Sequence, residues 1–86
     1  MKHVSARLDL HEVEVLLDRL CIRLGFCLPP AEIERLAQSP PTGVDEFTEA
    51  VLVVEGYGFT KSDPLCIEAR EVVAQGFLDH LAKHQE

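Results

Sequence analysis

Residues 44–58, VDEFTEAVLVVEGYG, decide how the chain is read. Phe47, Ala50, Val51 and Val54 recur at helical spacing and form one apolar face, with Val44 near its edge. Leu52 and Val53 lie off that face, so the second half of the stretch is apolar most of the way round. A helix of that kind is usually buried on more than one side. The stretch is therefore expected to be a central helix over about 43–55, with the other elements packed around it and with Phe47, Val51 and Val54 nearly fully buried. A strand is the rival reading, because residues 51–54 are β-rich and Gly56-Tyr57-Gly58 has the composition of a turn. Periodicity alone does not exclude a strand in so short a run. The acidic lead-in of Asp45, Glu46 and Glu49, together with Ala50, favours the helix.

Working outward toward the N-terminus, Thr42 and Asp45 have capping-box spacing, with Asp in place of the usual Glu. Ser39-Pro40-Pro41 ends the preceding element, since the residue before a proline is pushed out of helical geometry. That element reads as a short helix over 31–38, opened by Pro29 and Pro30 at its N-cap and first turn. Ile33, Leu36 and Ala37 form its core face. Further back, Asp9 and Glu12 make a capping-box pair, with Leu8 and Val13 at the hydrophobic-staple positions. Val13, Leu16, Leu17, Leu20, Cys21 and Leu24 then form one stripe. Gly25 suits the closing glycine, and Phe26 is placed to fold back on the last turn near Leu20 or Cys21.

Toward the C-terminus, Gly56 is a plausible stop for the central helix. Residues 58–62 read as the loop with most freedom to move. Asp63-Pro64 is a second clear start, a capping Asp followed by proline at the first helical position. The longest helix follows, over about 64–83. Cys66, Ala69, Val73, Gly76, Phe77, His80 and Leu81 share its broad face, and Ile67, Ala74 and Leu78 give it apolar residues on a second side.

Composition bounds the function classes. A chain of 86 residues makes one domain, residues 1–86, and buries on the order of 60–65% of the surface its unfolded form exposes. That supports one core and leaves little room for a deep enclosed active site. The formal net charge of −7 disfavours nucleic acid, where neutralisation of phosphates dominates affinity, and anionic membrane surfaces. It permits a basic protein partner, although the simpler reading is that the charge keeps a small domain soluble. No apolar run approaches the length that crosses a bilayer, and residues 1–12 show no signal-peptide pattern. Cys21, Cys27 and Cys66 are odd in number and contain no C-x-x-C, so reduced thiols in a cytoplasmic protein are expected. Cys27, in a loop before two prolines, is the candidate for a reactive thiol.

Few constellations carry chemistry. His80 and His84 are four apart on a helix, so their rings can point the same way and share a metal, with Asp79 or Glu86 as a third ligand. The bland reading makes His80 a core-edge residue and leaves His84 at a fraying end. A closed structural zinc site needs four ligands, which weighs for that reading. Cys66 is 14 residues from His80, about 21 Å along an ideal helix, too far for a nucleophilic pair. The carboxylates form no catalytic pair, no loop has calcium-site spacing, and no phosphate-cradling glycine motif occurs. No catalytic residue and no cofactor are therefore expected, and the chain is not expected to be an enzyme.

The fold class expected is all-α: four helices of unequal length in a compact single-domain orthogonal or irregular bundle. Length, acidity and this layout resemble those of the small acidic immunity proteins that inhibit bacterial nuclease toxins. No motif residue carries that likeness. Val15 and Ile22 lie in line on the back of the first helix, as Ile67 and Leu78 lie outside the main face of the last. A domain this small cannot easily wrap both sides of both helices, and exposed apolar patches commonly mark interaction sites. The expected function is a non-catalytic protein–protein interaction module: an adaptor, inhibitor or antitoxin-like regulator. Its partner is a protein, basic by charge complementarity, or a second copy in a homodimer. The alternative is a metal-binding or thiol-sensing module using His80, His84 and a cysteine.

Overall fold

A computed structural model describes residues 6–58 and 62–83 of the chain. Its helices are α1 (Leu10–Leu24), α2 (Pro30–Gln38), α3 (Val44–Val54) and α4 (Pro64–Lys83). The fold is the small all-α single-domain bundle expected, and residues 51–54 are helical, which settles the strand alternative. No helix among the described residues is long and apolar enough to cross a membrane.

Local chemistry sets most of the boundaries. The Glu12 amide donates to the Asp9 carboxylate at 2.8 Å, and the Asp9 amide donates to Glu12 Oε1 at 2.9 Å, completing the capping box. Leu8 and Val13, flanking that box, are both buried. Gly25 closes α1 with a φ of 77°, its amide bonded to the Cys21 carbonyl at 3.0 Å. The Phe26 amide returns to the Leu20 carbonyl at 3.2 Å, and the ring is buried. Pro29 is the N-cap of α2 and Pro30 its first residue. Gly56 closes α3 with a φ of 82°. Bonds from Tyr57 to Leu52 and from Gly56 to Val53 form the paired closure of a Schellman motif. Asp63 caps α4 through the Leu65 amide at 2.8 Å.

One expected cap does not form. Gly43, not Thr42, is the N-cap of α3, and among the described residues no side-chain cap bond forms there. The Thr42 carbonyl instead receives the Ala6 amide at 2.8 Å, so the backbone at Thr42 is held by the N-terminal arm. Asp45, assigned to the reciprocal half of that box, pairs with Arg70 of α4.

The core joins Leu16, Leu17 and Leu20 of α1, Leu36 of α2, and residues of α3 and α4. Phe47 and Phe77 meet edge to face at its centre, with ring centroids 6.0 Å apart. Phe47 and Val51 are buried as expected, whereas Val54 is only partly so. Of the two apolar residues off the main face, Leu52 is buried and Val53 is exposed. Thr48 is fully buried, its hydroxyl donating to the Val44 carbonyl at 2.7 Å.

The helix at the middle of the packing is not α3. α4 packs against both α1 and α3, and α1 packs against both α4 and α2. The principal interfaces thus run α2–α1–α4–α3. α1 and α4 are antiparallel: Glu12 meets His80, and Leu16 faces Gly76. A length of 20 residues lets α4 serve two neighbours, which the 11 residues of α3 cannot match.

Cysteine usage also departs from expectation. The turn at Gly25 folds Cys27 back onto Cys21, with Cα atoms 4.3 Å apart and the sulfurs bonded. The reading of three reduced thiols, on which the cytoplasmic expectation rested, gives way to one disulfide and one buried thiol, Cys66. Cys27 is therefore not a free reactive thiol.

Candidate functional site

The polar groups converge most on the cleft between α1 and α4, a hollow of about 400 Å³. The capping box builds one side of it. Glu12 Oε1 accepts from the Asp9 amide and also lies 2.7 Å from His80 Nδ1. A carboxylate oxygen only accepts, so Nδ1 donates in this pair. Glu12 thus fixes the start of α1 and orients a histidine 68 residues away. On the other side, Arg19 donates to Asp79 at 3.1 Å, and the Gln75 amide donates to Asp79 at 2.9 Å. These bonds, Gln75's first and Arg19's second, hold the Asp79 carboxyl below its usual range. Leu16 and Gly76 pack between the two polar groups.

A histidine oriented by a carboxylate is part of what general-base catalysis requires. Among the described residues lining the cleft there is no Ser, Thr or Cys to activate. The same bond bears on the metal expectation. His80 Nδ1 is engaged by Glu12, and His84 and Glu86 lie outside the described residues. Asp79 is committed to Arg19 and Gln75. Among the described residues no three potential ligands gather. Cys66 donates weakly to the Gly58 carbonyl, 3.6 Å away, and is a small buried core residue.

The four residues assigned to an interaction surface are all exposed. Val15, at 37%, lines the α1–α4 cleft, and Ile22, at 75%, stands one turn beyond Arg19. Ile67 and Leu78 stand out from α4 at 42% and 49%. Val53, Leu10 and Leu81 join them among the exposed apolar residues. Leu81 was expected on the broad apolar face of α4 but is exposed, the buried residues of that helix being Cys66, Ala69, Val72, Val73 and Phe77. The Glu12–His80 pair was not anticipated: Glu12 reads locally as a cap, and no local spacing links it to the far end of α4. Residues 59–61, most of the loop expected to move, lie outside the described residues. No family model, curated protein or solved structure matches this chain.

Proposed function

We propose that the chain is a non-catalytic protein–protein interaction module, an adaptor, inhibitor or antitoxin-like regulator that binds a protein partner through its helical surface. The observation that carries this reading is the exposure of large apolar side chains on helices whose other sides are well packed, with Ile22 three-quarters exposed. The net charge of −7 favours a basic partner over an acidic one. A second copy of the chain is the other partner this surface fits, since symmetric pairing commonly buries such residues.

Two measurements test the reading together. Light scattering across a concentration series detects self-association. Affinity capture from source-cell lysate, at low and high salt, detects a different partner. We expect at least one of these to be positive and to be weakened by a lysine substitution at one of the exposed apolar positions Leu10, Val15, Ile22, Ile67 or Leu78. A monomer at every concentration, with no protein specifically captured, sinks the proposal.

A further inference from the structure

The distribution of charge around α1 is uneven. His11 and Arg19 line its cleft with α4, and Arg23 lies beside Glu68 and Glu71 of α4. The side toward α2 presents Glu14 and Asp18 instead. Two adjoining hollows there, of about 580 Å³ and 280 Å³, share Glu14 and Ile33 and so form one groove. Its apolar surface comes from Leu10, Ile33 and Ala37, with Leu17 and Leu28 buried beneath. Glu14 and Asp18 rim it from α1 and Glu34 from α2, all three exposed. None of the described residues lining either hollow is Lys, Arg or His. Arg35, on the same short helix, is turned onto Glu32.

Resting on the interaction reading above, we propose that this α1–α2 groove is the docking site, and that it takes a basic amphipathic helical segment of a partner protein. Charge selects the occupant. The groove is acidic on both rims, whereas the α1–α4 cleft mixes Arg19 and Lys83 with Glu12 and Asp79 and discriminates little. Length fits as well. Leu10 to Cys21 is eleven residue steps, about 16 Å of helix, enough to lie along about three turns of a partner helix. Apolar anchors of that helix, spaced at i, i+4 and i+7, would rest on Leu10, Ile33 and Ala37. Lysines or arginines flanking them would reach Glu14 and Asp18 on one side and Glu34 on the other. Such rim charges speed association and weaken with salt.

The probe is a fluorescein-labelled helical peptide with leucines at that spacing flanked by lysines; the same peptide with glutamates replacing the lysines is the comparison. Binding to the full chain is read by fluorescence anisotropy and mapped by amide chemical shifts. We expect the lysine peptide to bind, the glutamate peptide not to bind, and the shifts to concentrate on α1 and α2. The double variant Glu14→Lys/Glu34→Lys changes only exposed positions and should weaken binding about tenfold or more. Ile33→Asp should abolish it, and Leu78→Lys should leave it unchanged. The groove assignment is overturned by failure of the lysine peptide to bind, by equal binding of both peptides, by shifts centred on α4, or by a charge-reversed protein that binds as well as the parent. A lysate partner that tolerates Glu14→Lys/Glu34→Lys but is lost with Leu78→Lys, or self-association broken by Leu10→Lys, also overturns it, while leaving the broader interaction reading intact.

Discussion

At Gly76 a single hydrogen in place of a side chain lets α4 approach α1. A Cβ there would fall 2.9 Å from Leu16 Cδ1 and 3.1 Å from Cδ2, so the buried Leu16 side chain would have to shift to admit it. In an unconstrained helix, Gly→Ala gains about 0.8–1.0 kcal/mol. Here Gly76→Ala is expected to lose that gain to the clash, and Gly76→Val to destabilise by about 1–3 kcal/mol through overpacking. Urea titration of both variants checks this; a Gly76→Ala protein more stable by the full helix-propensity gain would contradict the close approach. Asp9 and Asp63 allow a simpler test. Each bonds first-turn amides, so Asp→Ala at either should cost about 1 kcal/mol, and unchanged urea midpoints would argue against the caps. These caps, and the glycine closures at Gly25 and Gly56, were legible because their chemistry acts within a few residues. Thr42 was not legible, because what holds it is the Ala6 amide, 36 residues earlier.

At the scale of the element, α3 shows what periodicity can and cannot decide. The face carrying Phe47 and Val51 was readable from spacing alone. The fates of Leu52 and Val53 were not: both are apolar, they point to different sides, and the position of α4 determines which side is covered. The same holds for α4, where Val72, off the expected face, is buried and Leu81, on it, is exposed. Phe47 and Phe77 are where α3 and α4 are most firmly joined, both fully buried and in edge contact. Phe47→Ala is expected to cost roughly 3–5 kcal/mol, a large share of the ~5–15 kcal/mol that holds a typical domain folded. Combining it with Phe77→Ala in a double-mutant cycle should reveal a coupling of about 0.5–1.5 kcal/mol from the ring contact. A Phe47→Ala protein that melts within a few degrees of the parent would contradict the placement of α3 in the core.

For the molecule as a whole, the all-α architecture follows from four amphipathic segments with clear stops, whereas the order of packing and the pairing of cysteines depend on how the loops turn. Cys27 follows Cys21 by six positions, and their spacing matches no recognised motif. Gly25, in a backbone conformation that favours glycine, reverses the chain between them and makes the bridge geometrically possible. Closing so short a loop removes only modest entropy from the unfolded chain, so the bridge should contribute about 2 kcal/mol. For a domain of this size that corresponds to roughly 10 °C in melting temperature. Packing acts beside the bridge: Phe26 is buried and meets Tyr57 at a ring separation of 5.5 Å, joining the end of α1 to the end of α3. Reduction, or Cys27→Ser, should therefore lower the melting temperature by about that amount while leaving the helical circular dichroism at room temperature unchanged. Alkylation gives an independent reading. In the folded protein, thiol reagent should modify Cys27 only after reduction, and the buried Cys66 only after unfolding. Labelling of Cys27 without reductant, or a melting temperature indifferent to reductant, would show that the bridge does not hold the α1–α2 turn.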